Sequence, residues 1–136
     1  YTPTHTLSLH DALPISYEDY LKAIYQIARN NTGGWVSNRE IAEYLEVRPS
    51  SVTEMLYKLK RAGLIKWQPR KSIRLTAKGK NIAETLLETY HSLYEFFSDV
   101  LKISDEGLLE EICCKIEHHL TPEITHALDN LLVKYQ

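Results

Sequence analysis

The spacing of apolar residues changes twice along this chain of 136 residues, and the two changes limit the folds it can adopt. Apolar residues recur at helical spacing from residue 17 to residue 64, and again from residue 76 onward. Between these stretches the spacing falls to two, which predicts short strands over 64–67 and 72–75, joined by a turn. The chain is therefore expected to be mainly α, with a small β-hairpin wing.

Helix-capping residues predict where the helices begin. Ser16 with Asp19 and Ser37 with Glu40 have the spacing of capping boxes, so helices are expected to start after both serines. Pro49 suits the first turn of a third helix, because its fixed φ is already helical. These helices would be followed by a long one to about residue 101, one over about 105–120, and a last one. Their expected N-caps are Thr76, Ser104 and Thr121.

Charge is distributed unevenly along the chain. Residues 48–80 contain ten Lys and Arg against one Glu, a net charge of +9, although the whole chain has a net charge of −2. Residues 81–136 contain eleven acids against three bases, a net charge of −8. A basic block between acidic flanks is typical of a polyanion-binding face on an otherwise acidic protein. A solvated lysine-rich surface is the plainer alternative.

The order helix, helix, turn, helix and basic hairpin is that of a winged helix-turn-helix DNA-binding domain, which is expected over residues 17–75. The third helix of such a domain fits the major groove, and its N-terminal residues meet the base edges. Short hydroxyl side chains at that end let the backbone approach DNA closely. The residues expected to contact DNA are Ser37, Arg48, Pro49, Ser50, Ser51, Thr53, Lys58, Arg70 and Lys71. Winged helices also serve in protein interactions, and the concentrated positive charge argues against that role here.

A second constellation of polar residues lies near the C-terminus. Cys114, Glu117 and His118 are spaced i, i+3 and i+4, so a helix would bring a thiolate, a carboxylate and an imidazole to one face. These donors suit a divalent transition metal such as iron(II), manganese(II), cobalt(II) or zinc(II). His91 and Glu95 form an i, i+4 pair on the preceding helix. A core cysteine, a surface histidine and a solvated glutamate are the plainer interpretations.

Residues 16–136 resemble the metalloregulators of the diphtheria-toxin-repressor family, and most closely its short manganese transport regulators. The motifs that carry the resemblance are Glu18-Asp19-Tyr20-Leu21 with Ile24-Tyr25, Val47-x-Pro49-Ser50-Ser51-Val52-Thr53, Leu75-Thr76-x-Lys78-Gly79, His91, and Ile116-Glu117-His118-His119-Leu120. The resemblance implies a homodimeric repressor controlling metal homeostasis, whose affinity for a palindromic DNA operator rises when it binds a divalent metal. An all-helical metal-binding and dimerisation domain would then occupy residues 76–136.

The resemblance also implies a set of metal ligands. The positions that match ligands of the manganese regulators are Asp19, His91, Glu117 and His118. Two positions differ, because Lys22 and Cys114 stand where those regulators have glutamates. The spacing of Cys114, Glu117 and His118 resembles that of the iron-responsive branch of the family. In that branch, His91 and Glu95 would belong to an accessory site. The expected metal ligands are therefore Asp19, His91, Cys114, Glu117 and His118, with Glu95 as a further candidate.

The same ligand set indicates which metal is expected. A thiolate favours iron(II) over the harder manganese(II), whereas the carboxylate of Asp19 favours manganese(II). Lys22 replaces a carboxylate with a positive charge, which argues against a cluster of two manganese ions. The expected cofactor is iron(II) or manganese(II), slightly in favour of iron(II), with zinc(II) or cobalt(II) binding in vitro. A metal held by ligands of both domains would fix the spacing of the two recognition helices in the dimer, which would raise affinity for a palindrome. Metal affinity and DNA affinity would then rise together, because the coupling is reciprocal.

The first residues and the cysteines predict where the protein is found. Residues 1–16 are unlike the rest, resemble a translated sequencing adapter, and are expected to be a non-native or disordered leader. They lack the basic start and long apolar stretch of a secretory signal. No apolar run is long enough to span a membrane. Cys113 and Cys114 are neighbours and do not indicate a disulfide scaffold, so a cytoplasmic protein without a membrane partner is expected.

Dimerisation is expected from apolar residues on the long helix, which offer more apolar surface than a short domain can bury alone. These residues are Leu86, Leu93, Tyr94, Phe96 and Phe97.

Other functions remain open at this point. A winged-helix regulator that does not sense metal would use Cys114 and His118 as core or redox residues. A metal hydrolase with Glu117 as its base fits poorly, because the chain has no H-E-x-x-H motif and no Gly-rich phosphate loop. It also shows no nucleophile with an evident base and orienting partner. We therefore expect neither enzymatic activity nor a small organic substrate.

Overall fold

Six α-helices and one short β-hairpin make up residues 15–135, which are the residues that the structure, a computed structural model, describes. The elements in chain order are α1 (Tyr17–Arg29), α2 (Asn38–Leu45), α3 (Pro49–Arg61), β1 (Ile65–Lys66), β2 (Arg74–Leu75), α4 (Ala77–Glu95), α5 (Glu106–Glu117) and α6 (Pro122–Lys134). The predicted fold class is confirmed. Of the expected leader, residues 1–16, all but the last two lie outside the described residues. No helix within 15–135 is long and apolar enough to cross a membrane.

The chain divides into two compact units within α4, between Glu84 and Thr85. The first turns of α4 belong to the first unit because Ala83 is fully buried in its core. The hydroxyl of Tyr25 on α1 also donates a hydrogen bond to Glu84 at 3.0 Å. The boundary expected from the sequence lies earlier, after residue 75, which is the last residue of β2.

The first unit has a continuous apolar core built from α1, α2, α3, the hairpin and the start of α4. Its buried residues are Tyr20, Leu21, Ala23, Ile24, Val36, Ile41, Ala42, Leu45, Val52, Leu56, Leu59, Leu64, Ile65, Trp67, Ile73 and Ala83. Their spacing on the helices is the i, i+3, i+4 pattern that the sequence showed, so the apolar stripe of each helix is the face that it buries.

Both predicted capping boxes are present. The Ser16 hydroxyl accepts a hydrogen bond from the backbone N–H of Asp19, and the Ser16 backbone N–H donates to the Asp19 carboxylate, each at 3.2 Å. At α2, the Ser37 hydroxyl accepts from the Glu40 backbone N–H at 3.1 Å, and Glu40 Oε1 accepts from the Ser37 N–H at 3.0 Å. These bonds satisfy donors that helix starts otherwise leave without partners.

The end of α3 is fixed by Gly63, which has a φ of +75° that only glycine adopts without strain. The N–H of Leu64 donates to the carbonyl of Leu59 at 3.0 Å, and the N–H of Gly63 donates to Lys60. These two bonds form a Schellman motif, which satisfies the last carbonyls of the helix.

The hairpin is held close to the start of α4. The Thr76 hydroxyl donates to the Gly63 carbonyl at 2.8 Å and accepts from the Gly79 N–H at 3.2 Å, so Thr76 caps α4 as expected. A Cβ at Gly79 would lie 2.1 Å from the carbonyl oxygen of Leu64. Only glycine permits this approach of two backbones.

The strands of the hairpin, which forms the wing, are shorter than predicted. Ile65 pairs with Leu75 and Lys66 with Arg74 in antiparallel register. Beyond them the chain leaves the ladder, because Ile73 instead pairs with Val36 through two backbone hydrogen bonds of 2.9 and 2.7 Å.

Aromatic rings surround the base of the wing. The rings of Tyr57 and Trp67 meet edge to face, with their centroids 4.8 Å apart. The guanidinium of Arg74 lies 5.0 Å from the ring centroid of Trp35. Trp67 is buried, whereas Trp35 and Tyr57 remain exposed.

The second unit contains the rest of α4 with α5 and α6, and three of its helix boundaries differ from expectation. The long helix was predicted to reach residue 101. Its α-helical part ends at Glu95, and the chain then forms a π-helical turn over Phe96–Val100. The predicted N-cap Ser104 is wrong, because the carboxylate of Asp105 accepts the Leu108 N–H instead. The helix α5 ends at residue 117 rather than near 120.

Two residues expected to form a dimer surface are buried within the chain. Leu86 and Leu93 are each 6% exposed, so this part of the expectation is corrected. Tyr94, Phe96 and Phe97 are partly buried. The large apolar side chains that this unit does expose are Leu101, Leu108, Ile124, Val133 and Tyr135.

Candidate metal centre and nucleic-acid interface

Three potential metal ligands of the second unit converge at the end of α5. One ligand atom from each of Cys114, Glu117 and His118 lies within 4.8 Å of the other two. His118 is the C-cap of α5, but its φ of −70° and ψ of −15° keep it on the helical path. The i, i+3, i+4 spacing therefore places all three side chains on one face, as the sequence predicted.

The environment of this group suits a cation. Glu117 is 2% exposed, and Cys114 and His118 are partly buried. Glu117 Oε1 lies 3.7 Å from His118 Nε2. Burial of a carboxylate costs free energy unless a positive charge or hydrogen bonds compensate for it. A thiolate, a carboxylate and an imidazole together form a donor set that fits a borderline divalent transition metal.

Cys113, next to this group, has a different environment. Its side chain is fully buried, as is that of Leu109 one turn earlier on α5. Burial, with a smaller contribution from the nearby Glu117 carboxylate, raises the pKa of the Cys113 thiol to about 11. Cys113 is therefore a neutral core thiol, whereas Cys114 faces the ligand group.

The other three expected ligands are on α1 and α4. Asp19 is in the first turn of α1 in the first unit, and its carboxylate accepts hydrogen bonds from Ser16. His91 and Glu95 are both exposed on α4. Neither belongs to the group of close ligand atoms found among the described residues. His91 contacts the ring of Tyr90 edge to face, with centroids 5.7 Å apart.

The start of α3 and the wing border a groove on the first unit. The cavity there has a volume of about 550 Å³ and is lined by Ser37, Asn38, Arg39, Thr53, Trp67, Pro69, Arg70, Lys71 and Ser72. Arg39, Arg70 and Lys71 are exposed and place positive charge along it. Arg39 also pairs with Glu43 at 3.0 Å on the surface of α2. A positively charged groove next to a helix N-terminus is suited to binding a phosphate backbone.

Most residues expected to contact DNA are accessible. Those that are exposed on α3 or the wing are Arg48, Pro49, Ser50, Ser51, Lys58, Arg70 and Lys71. Arg48 adopts the extended backbone that Pro49 demands, and Pro49 occupies the first turn of α3, as predicted. Ser37 and Thr53 are half-buried, and both hydroxyls take part in hydrogen bonds within the protein.

Sequence reasoning missed Asn38 and Trp67, which also line the groove. Asn38 is the first residue of α2, and its side-chain nitrogen donates to Thr53 Oγ1 at 3.0 Å. A polar residue directly after an N-cap serine was the available signal for Asn38. Trp67 is the last residue of the first predicted strand, and no pattern in the sequence predicts that its ring packs against Tyr57 of α3.

Two family models match the chain. "Iron dependent repressor, N-terminal DNA binding domain" matches residues 13–73. "Iron dependent repressor, metal binding and dimerisation domain" matches residues 76–136. The matches therefore cover both the winged helix and the helical unit that contains the ligand group.

Curated relatives are similar over most of the chain. An uncharacterized HTH-type transcriptional regulator of Methanocaldococcus jannaschii is 35% identical over 121 residues, covering 89% of this chain and 95% of that protein. The HTH-type transcriptional regulator MntR of Oceanobacillus iheyensis is 37% identical over 106 residues, covering 78% of this chain and 69% of that protein. MntR of Shouchella clausii is 33% identical, covering 89% and 82%.

Solved structures share the fold. The manganese regulator SloR matches with a TM-score of 0.74 and 28% identity, over 91% of this chain and 56% of that chain. IdeR of T. acidophilum matches with a TM-score of 0.72 and 25% identity, over 87% of this chain and 54% of that chain. The chain thus spans about half the length of these solved chains.

Proposed function

The chain belongs to the iron-dependent repressor family, and we propose that it is a metal-dependent repressor of transcription that binds duplex DNA as a homodimer. The family resemblance inferred from the sequence motifs is confirmed by the matches to both domains. The observation that carries the proposal is the ligand group of Cys114, Glu117 and His118, in a chain whose other unit is a basic winged helix. The family is one of transcriptional regulators, not a class of enzymes.

The ligand group is proposed to hold one divalent transition metal. Cys114, Glu117 and His118 would supply sulfur, oxygen and nitrogen donors. The resemblance supports Asp19 and His91 as additional ligands, with Glu95 in an accessory role. Two of these residues, His91 and Glu95, would have to turn from solvent toward the ion. The bound cation would supply the positive charge that lets a buried carboxylate remain ionised.

Iron(II) and manganese(II) are the proposed signals. The thiolate of Cys114 supports iron(II), and a carboxylate at Asp19 supports manganese(II), with the balance slightly toward iron(II). Zinc(II) and cobalt(II) are expected to bind in vitro, because affinity alone does not exclude them. A reducing cytoplasm is the proposed location, since it keeps the Cys114 thiol available as a ligand.

The exposed residues of α3 and the wing are proposed to bind the operator. Ser50 and Ser51 lie at the start of α3, where a recognition helix meets base edges. Arg48, Lys58, Arg70 and Lys71 would neutralise phosphates. The hydroxyl of Ser37 would donate a hydrogen bond to a phosphate, and the ring of Pro49 would pack against the sugar–phosphate backbone. A homodimer would present two such helices to the half-sites of a palindrome that controls metal-homeostasis genes.

Metal and DNA are proposed to bind cooperatively. Asp19 belongs to the first unit and Cys114, Glu117 and His118 to the second, so one ion held by all four would constrain both units. A constrained dimer has its recognition helices at one spacing, which favours a palindrome of matching length. The coupling is reciprocal, so the operator must raise metal affinity by the same factor.

The test is an anaerobic selection of random duplex DNA with iron(II), with manganese(II), and with chelator. We expect one palindrome to be enriched only in the metal arms. His118→Ala should abolish that enrichment, whereas His119→Ala should preserve it, since His119 is the exposed neighbour. This pair separates loss of a ligand from loss of a nearby imidazole.

Each other result selects a different function. The same palindrome in all three arms would indicate a winged-helix regulator that does not sense metal. This is the second candidate because the DNA-binding unit has a continuous apolar core of its own. No enrichment in any arm would exclude the proposed function. Normal metal-stimulated binding by both His118→Ala and Cys114→Ala would exclude the proposed metal centre.

A further inference from the structure

The single proton of the Thr53 hydroxyl is used inside the protein. It donates a hydrogen bond to the Pro49 carbonyl at 3.0 Å and accepts one from the side-chain nitrogen of Asn38, also at 3.0 Å. The same nitrogen lies 3.4 Å from the Pro49 carbonyl. Asn38 begins α2 and Pro49 begins α3, so the two bonds from Asn38 join the starts of two helices, and the third holds the first turn of α3.

This arrangement limits what Thr53 can do at a DNA surface. A hydroxyl has one proton, and phosphate oxygens are acceptors only. Thr53 could therefore bond a phosphate only by giving up the Pro49 carbonyl. Ser50 and Ser51 differ from it, because both are exposed in the first turn of α3.

The hydrogen bonds donated by the side-chain nitrogen of Asn38 set the orientation of its amide group. Its oxygen Oδ1 is buried and accepts no hydrogen bond from any described residue. An unsatisfied buried acceptor is unfavourable, so the bonds made by the side-chain nitrogen must outweigh that cost. Asn38 is not paired with a charge and is not part of either capping box.

We infer that Asn38 and Thr53 are positioning residues, which fix the first turn of α3 against α2 and do not themselves bond to DNA. This inference rests on the proposed function, because it concerns how the recognition helix is presented to duplex DNA. It gives Thr53 a different role from the direct contact expected from the sequence. The reading of DNA is left to neighbouring residues such as Ser50 and Ser51.

The test is a double-mutant cycle on the full chain loaded with manganese(II). Asn38→Ala, Thr53→Val and the double variant are titrated with the selected operator over a range of salt concentrations. Each single variant should lose about three- to tenfold in affinity, which corresponds to one ordinary hydrogen bond. The double variant should lose no more operator affinity than the single variant that binds more weakly, because both changes remove the same hydrogen bond between Asn38 and Thr53. The slope of log affinity against log salt should remain that of the unchanged protein, because no phosphate contact is lost.

Two controls separate positioning from direct contact. Thr53→Ser keeps the hydroxyl and should bind within about twofold of the unchanged protein. Asn81→Ala removes an exposed asparagine of α4 outside the groove and should have no effect. Independent losses in the double variant, with a salt slope reduced by about 0.9 for Thr53→Val, would overturn the inference and make Thr53 a phosphate contact. Unchanged affinity in both single variants would overturn it as well.

A readout without DNA distinguishes this inference from the proposed function. The N–H groups of Ser51 and Val52 donate to the Arg48 carbonyl at 3.0 and 3.2 Å in the first turn of α3. Their hydrogen exchange should be faster in Asn38→Ala and in Thr53→Val. If the unchanged protein binds no duplex with any metal, the proposed function fails, and this exchange decides whether the pair fixes the turn. Unchanged exchange would overturn the inference.

Discussion

The two units of this chain bury their apolar residues to very different extents. In the part of the chain that the structure describes, the first unit has sixteen buried hydrophobic residues in one cluster. The second has five, namely Leu86, Leu93, Leu109, Cys113 and Leu132. The second unit also exposes four large aliphatic side chains, whereas the large exposed side chains of the first unit are all aromatic. The first unit thus has a core sufficient for a folded domain, and the second has surface left to cover.

The two candidate sites differ in how far apart in sequence their residues lie. The proposed DNA-binding surface of the first unit is held by links between distant parts of the chain, such as Asn38 with Thr53 and Val36 with Ile73. The ligand group of the second unit, Cys114, Glu117 and His118, comes from one short stretch at the C-terminal end of α5. A site built from one helical turn is easy to predict from spacing, but it depends on whatever stabilises that helix. We expect a partner copy to be that stabiliser.

The largest expected effect is on the core of the first unit. Leu56 is fully buried, and Leu56→Ala should lower the free energy of unfolding by about 2–5 kcal/mol through lost burial and a cavity. Val133 is 71% exposed, and Val133→Ala should change the free energy of unfolding by less than about 0.5 kcal/mol at low protein concentration. Urea unfolding at two protein concentrations measures both. Equal effects of the two variants would contradict the contrast between the units.

Metal affinity should show the next largest effect. His118→Ala should weaken iron(II) or manganese(II) binding by at least about a hundredfold, because loss of a ligand costs more than loss of a residue behind one. His119→Ala, an exposed neighbour on the same segment, should bind metal normally. Anaerobic competition with a chelating dye gives both affinities. Equal losses would mean that the segment as a whole, and not the ligand group, holds the ion.

Self-association should respond to charge on the exposed apolar surface of the second unit. Val133→Glu should weaken dimerisation by at least about tenfold, because it places an uncompensated carboxylate in an apolar contact. Ala127→Glu is the control, since it adds the same charge to another exposed position of α6. Sedimentation velocity over a concentration series measures both. A dimer unaffected by Val133→Glu would place the partner on another surface.

The smallest effect concerns acid stability of the first unit. Hydrogen bonds from the Asn31 side chain and from the Ser37 backbone hold the pKa of the Glu40 carboxyl below its usual value. Its contribution to stability is therefore fully present above the pKa of the unfolded chain and is lost as pH falls through the lower folded-state value. Glu40→Gln should reduce this loss by less than about 1 kcal/mol. Thermal unfolding between neutral and acidic pH checks it, with Glu43→Gln as control.

Helix starts and the ligand spacing were predictable because each depends on residues close in sequence. Ser16, Ser37, Thr76 and Thr121 cap their helices through bonds to the backbone three residues later. The failure at Ser104 has the same origin, since Asp105 beside it is an equally good cap and the carboxylate accepts the bond. Two adjacent capping residues cannot be ranked from propensity alone.

The features that were missed depend on residues far apart in sequence or on small changes of helical pitch. The π-helical turn after Glu95 adds one residue to a turn, which an apolar spacing of three and four does not reveal. The short wing strands follow from the pairing of Ile73 with Val36, which lies before α2. The link between Asn38 and Thr53 likewise requires the angle between two helices, and no pattern within either helix encodes it.

The tryptophans of this chain have an optical consequence. The sequence contains two, Trp35 and Trp67, and both lie beside the wing. One is exposed next to the guanidinium of Arg74, and the other is buried against Tyr57. Tryptophan emission from the native protein therefore reports on the DNA-facing half and receives no contribution from the half with the ligand group. A shift in that emission when metal is added without DNA would show, without any label, that metal binding changes the surroundings of the tryptophans in the first unit.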